Sequence, residues 1–173
     1  MKSVKELSIE SKILRRLQNS PICLKLVRYL FDDPELQELQ DYANNVSIKR
    51  LGYNDHGPVH MRQVCANAIK MLNILQSCGI KTSLEEEEIG TFDDSMCAVI
   101  IAGLMHDLGM SIGRQGHEDM SVIIAQPLID RALMHIYPED LKRRVIIKSM
   151  VTECIIPVDR PLLRIVAFVS LLI

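Results

Sequence analysis

Apolar residues recur at intervals of three and four along most of the chain, and turn signals interrupt them every 15–25 residues. That period predicts helices, and no alternating β-branched run is long enough to suggest a sheet. A first helix is expected near residues 4–18, with Leu7, Ile13, Leu14 and Leu17 facing inward. Ser20-Pro21 starts a second, Cys23 to Phe31, and Asp33-Pro34 a third, carrying Leu36, Leu39, Tyr42, Ala43 and Val46. Proline suits such starts because its missing N–H would have no helical partner there. Residues 51–58 combine two glycines, Asn, Asp and Pro into a loop, and a long helix follows from Pro58 to Ser77, with Gly79 placed to close it.

Residues 81–95 are acidic and turn-rich, and the four glutamates are expected to be a solvated loop or a helix start without chemistry. Asp93, Asp94 and Ser95 then offer caps to a helix reading MCAVIIAGLMHDLG, apolar on nearly every side and therefore expected at the centre of the bundle. Two further helices are expected at 118–136, bent at Pro127, and 139–155, with a last one from Pro161. The fold class is all-α. The organisation expected is residues 1–50 as an N-terminal helical segment packed on the core formed by residues 51–173.

Composition narrows the function classes. The 173 residues are 48% hydrophobic and 24% charged, which excludes both a disordered chain and a polytopic membrane protein. Twenty Lys and Arg against 22 Asp and Glu leave a net charge of −2 without a basic block, so an extended nucleic acid is not an expected partner. Five widely spaced cysteines without a C-x-x-C pair read as reduced thiols, and the charged first ten residues do not read as a signal peptide. The expected location is cytoplasmic. The late apolar run from Ile165 to Ile173 is shorter than the roughly 20 residues of a membrane span.

Candidate chemistry sits where the central helix ends. His106 and Asp107 place an imidazole and a carboxylate at the tip of a buried element, where an unpaired charge is costly. A divalent cation, a basic side chain or exposure to solvent would each compensate it. In the preceding helix His60, Val64, Asn67, Met71 and Leu75 share one face, read as core-facing, with His56 four residues before His60 in the entering loop. A lone inward histidine is ordinarily satisfied by a backbone carbonyl. Here a third segment follows the His-Asp pair at once: Gly113-Arg114-Gln115-Gly116-His117-Glu118, either an ordinary surface connection or a ligand-meeting loop. The fifth histidine, His135, is expected to be structural.

Together these residues make a resemblance. His60 in HGPVHMRQV, the His106-Asp107 pair in AGLMHDLGM and the trailing GRQGHEDMS resemble the HD superfamily of metal-dependent phosphohydrolases, over roughly residues 51–173. The resemblance implies an HD-domain-like helical bundle in which His60, His106 and Asp107 hold a divalent metal ion, with His117 and His56 available to a second metal or to phosphate. It implies hydrolysis of a nucleotide or other phosphate ester by a metal-bound hydroxide, Asp107 orienting or deprotonating the water and Arg114 neutralising a phosphoryl oxygen. Mn, Fe, Ni, Co, Mg and Zn all suit such mixed nitrogen and oxygen donors.

The departures from the family pattern lie late in the chain. Where the final metal-binding Asp aligns stands Ser170, so the expectation is either a lost ligand or a domain incomplete at its C-terminal end; Glu153 is a substitute ligand or a solvent-facing side chain. An incomplete site implies the alternative of a non-catalytic nucleotide-binding or regulatory domain, and a third reading is a structural module with incidental histidines. Expected partners are a small phosphorylated substrate and, for an oligomeric module, further copies of the chain as a homo-oligomer. No membrane is expected among them. Tyr53 is placed either to stack on a base or to pack against the bundle.

Overall fold

The structure, a computed structural model, describes residues 2–156. It is all-helical, with α1 Val4–Arg16, α2 Pro21–Asp32, α3 Pro34–Lys49, α4 Pro58–Ser77, α5 Ser83–Glu86, α6 Phe92–Met105, a 3₁₀ turn Leu108–Ser111, α7 His117–Ile136 and α8 Leu141–Ile155. The helix expected from Pro161 and the Ser170 position lie outside the described residues. No described helix is long and apolar enough to cross a membrane.

Local chemistry explains the starts. The Ser20 and Asp33 side chains accept from the backbone N–H groups of Cys23 and Leu36, and proline follows each at the first helical position, an arrangement worth about 1 kcal/mol per cap. Gly79 sits just past the end of α4 with a φ of +74°, a left-handed conformation that glycine adopts without strain. The central helix starts earlier than its Asp93, Asp94 and Ser95 suggest. Thr91 is the cap, and Thr91 and Asp94 bond reciprocally, which satisfies two amide groups at once. In the acidic stretch Thr82 caps the four-residue α5, whose Leu84 is buried, while Glu86, Glu87 and Glu88 remain exposed.

All residues of α6 from Asp94 to Met105 are buried. Helices α4 and α8 flank α6, α1 lies on α4, α2 lies on α7, and the 3₁₀ turn is wedged between α3 and α7. The first helices share one continuous apolar core with the rest, from Ile9 to Ile155. They pack on residues 51–156 without a separate core of their own.

Two expected faces are corrected. Leu7 and Tyr42 are about half exposed; Ile13 and Leu17 face inward as expected, and on α1 Ile9 is buried where Leu7 is not. On α4 the deepest line is Met61, Cys65, Ala68 and Leu72, with Arg62 beside it. Asn67 is exposed and Met71 and Leu75 are only partly covered, so His60 and Val64 stand at the edge of the buried face. The cause is the close crossing of α4 on α6. A β-carbon on Gly103 would lie 2.9 Å from Cys65 Cα, so the helices meet where one residue has no side chain. All five cysteines are free; burial pushes the Cys65 and Cys154 thiols up to about 12, so both act as apolar packing.

Candidate metal centre

Three structural elements bring imidazoles around one carboxylate. His60 comes from the first turn of α4, His106 and Asp107 from the end of α6, and His117 from the first residue of α7. One donor atom each from His60, His106 and Asp107 lie within 4.8 Å of one another. The Nε2 atoms of His60 and His106 are 3.3 and 3.2 Å from Asp107 Oδ2, and Nε2 of His117 is 3.3 Å from Oδ1. Asp107 and His106 are buried and His117 nearly so, while His60 keeps about a third of its side chain exposed.

The backbone sets the imidazole tautomers. His106 Nδ1 is 3.2 Å from the carbonyl of Gly103, and His117 Nδ1 is 2.9 Å from that of Arg114. A carbonyl only accepts, so each Nδ1 carries the proton and donates. Each neutral ring therefore aims its Nε2 lone pair at the Asp107 carboxylate, two acceptors face to face. A positive charge between them, a proton or a metal ion, turns this repulsion into attraction. Protonating every ring would gather three cations with His60 and His106 centroids only 5.4 Å apart. His106 Nε2 and Asp107 Oδ2 are also buried without a hydrogen-bond partner among the described residues. Orphaned buried acceptors on neighbouring residues are what a missing shared cation leaves behind, so the donor set fits a divalent ion.

Burial alone would raise the Asp107 pKa, but the His106, His117 and His60 rings overcome it and hold the carboxyl far below the usual carboxylate range. Reciprocally the Asp107 carboxylate raises His117 above its ordinary 6.5, against burial and with help from Glu118. In the metal-free protein that pairing contributes stability that is complete below pH 6.5 and is lost as pH rises through the raised value. A cation held by Nε2 of His117 displaces the same proton, so binding that uses this ring strengthens as pH rises. The thermal shift produced by Mn²⁺ is expected to grow from about pH 6 to about pH 8. An equal shift at both values would remove His117 from the site.

Other expected residues lie around this centre. His56 is adjacent, its ring 5.5 Å from that of His60, but its Nδ1 sits 2.7 Å from Asn54 O and 3.1 Å from Ser47 Oγ, and it does not join the three-residue donor group. Arg114 is exposed with its guanidinium 5.7 Å over the exposed Tyr53 ring, so Tyr53 stands away from the core and joins the loops at 51–57 and 113–116. Glu153 lines a groove with Ser83, Glu87 and Ser149, apart from the donor group. His135 stacks on Tyr29 at 4.5 Å, the structural role expected of it.

Sequence reasoning missed Ser121. Fully buried on α7, its hydroxyl donates to His106 O and accepts from Gly109 N at 2.8 Å. It ties the turn after Asp107 to the helix that carries His117. Its only sequence signal is a serine one helical turn after His117 on the same face of α7.

Comparison with known proteins adds one relationship. No protein-family model matches the chain, and no solved structure does. Over 98 residues, 57% of its length, the chain is 38% identical to an uncharacterized protein of Methanocaldococcus jannaschii, of which the match spans 38%.

Proposed function

We propose that the chain is a metal-dependent phosphohydrolase of the HD type that acts on a nucleotide or another small phosphate ester. The observation that carries the reading is the single buried carboxylate faced by three imidazole Nε2 atoms from three separate elements, with acceptors on His106 and Asp107 left unpartnered. His60, His106 and Asp107 would hold the ion, and His117 on the other carboxylate oxygen would serve a second ion or the phosphate. When bound, a divalent ion supplies Lewis acidity and a water acidified toward neutral pH, the chemistry phosphoester hydrolysis requires.

The protein's own groups supply the rest. Carbonyls of Gly103 and Arg114 keep the His106 and His117 rings in the ligating tautomer. Asp107 carries the negative charge, and its second oxygen is available to orient a nucleophile. Arg114 lies on the loop that leads into His117, and its exposed guanidinium would be available there to a phosphoryl oxygen.

A binding domain that does not turn over its nucleotide is the second reading. It is favoured by the position of Glu153, since among the described residues no further carboxylate joins His60, His106 and Asp107. A screen for phosphate release over nucleotides and simple phosphomonoesters, with each of several divalent ions, separates the two. Activity that appears with one ion and disappears with chelator is expected. Metal uptake without release of phosphate from any compound would favour the binding domain, and the absence of metal uptake would end both readings.

A further inference from the structure

Arg62 lies on α4 with 2% of its surface exposed, in a largely apolar core where its guanidinium sits 5.7 Å over the Phe31 ring. A buried guanidinium demands partners for its donors. Nε donates to Glu10 Oε1 at 2.8 Å, and Nη1 donates to Gln40 Oε1 at 2.9 Å and to Pro58 O at 3.1 Å. The equally buried Gln40 uses its other end, donating from Nε2 to Leu104 O at 2.7 Å. A carboxamide suits this position because it accepts on one side and donates on the other.

The two backbone carbonyls in this network are the informative part. Pro58 opens α4 two residues before His60, and Leu104 lies on α6 two residues before His106. The Leu104 carbonyl is among the last four of its helix, which have no partner within the helix. The path Pro58 O, Arg62, Gln40, Leu104 O thus joins the two segments that bring His60 and the His106-Asp107 pair together. Net stability is a weak reason for such a network, since well-packed apolar residues commonly do as well as a buried ion pair. Fixed geometry is the better reason.

We propose that Gln40 and Arg62 form a positioning relay that sets His60 against His106 and Asp107 and so determines the affinity of the site for a divalent cation. The proposal rests on the metal-centre reading above. Loss of a contact that supports a ligand typically weakens metal binding about 10- to 100-fold, and that is the effect expected of cutting the relay.

The test is calorimetric titration of chelator-stripped protein with Mn²⁺ and, separately, Zn²⁺, paired with thermal melts without metal. Four proteins are compared: wild type, Gln40→Met, Gln40→Glu and Tyr137→Phe. Gln40→Met removes both contacts. Gln40→Glu keeps Arg62 partnered but sets an acceptor against Leu104 O, so it carries the test if the methionine variant fails to fold. Tyr137→Phe cuts a different hydrogen bond, the 2.8 Å contact to the buried Asp94 at the far end of α6, and controls for lost stability alone.

Dissociation constants at least about tenfold weaker in both Gln40 variants are expected, with Tyr137→Phe within twofold of wild type although less stable. Gln40 variants that bind within twofold of wild type overturn the relay and leave the metal centre standing. So does a Tyr137→Phe protein weakened as much as they are. A wild type that takes up neither ion overturns the metal centre and the relay together.

Discussion

Replacing Asp107 by alanine is expected to abolish divalent-metal binding and to reduce any phosphohydrolase activity by about 10³-fold or more. Both its oxygens face imidazole nitrogens, Oδ2 those of His60 and His106 and Oδ1 that of His117, so one truncation removes the carboxylate that all three rings share. Asp107→Asn is the sharper variant, because it keeps the shape and deletes only the charge. The acid side of the stability profile gives a second readout. A carboxyl held below its ordinary 3.8 contributes stability that is present above that value and is lost as pH falls toward the folded-state value. Metal-free wild type is therefore expected to lose stability on acidification more steeply than Asp107→Asn. An asparagine variant that binds Mn²⁺ as tightly as wild type would end the metal reading.

Gly109→Ala is expected to destabilise the protein by about 3 kcal/mol, the cost of forcing extra volume into a packed site, and to lower Tm by roughly 6–12 °C for a chain of this size. A β-carbon there would overlap His117 O and lie 2.7 Å from Ser121 N, both of them backbone atoms that a rotamer change cannot move. The start of α7 must shift, and His117 moves with it, away from Asp107. Weaker metal binding accompanies the lower Tm. Gly113→Ala is the matched control, because nothing lies within 4 Å of the added carbon and its backbone is not left-handed. Equal melting temperatures for the two variants would show that the turn yields at no cost.

Much of this architecture was legible because it is local chemistry. Ser20-Pro21, Asp33-Pro34 and Gly79 each mark a boundary by what the residue itself does to the backbone, and the boundaries fall there. The burial of α6 follows from the absence of any polar side, and the cost of a carboxylate at its end directs attention to His106 and Asp107. Facing was harder to read. On α4 the line His60, Val64, Asn67, Met71, Leu75 and the line Met61, Cys65, Ala68, Leu72 have the same helical spacing and both are largely apolar; the close crossing at Gly103 selects the second. Arg62, a charged residue on the same helix, is satisfied inside by partners on α1 and α3 that its own segment does not reveal. Ser121 is marked only by its place one turn after His117, and Gln40 carries no local signature, since its backbone partner lies 64 positions away.

The helix that ends at the candidate metal centre is held at its opposite end as well. There Asp94 bonds back to Thr91, accepts the Tyr137 hydroxyl and pairs with Arg143 at 3.2 Å. A rod clamped at both ends is a poor piston, so on the proposed reading a ligand at the histidines would have little stroke to transmit along the bundle axis. On that same reading, fitting an incoming molecule would fall to the two surface connections joined by Tyr53 and Arg114, with selectivity set there and chemistry set at the buried carboxylate.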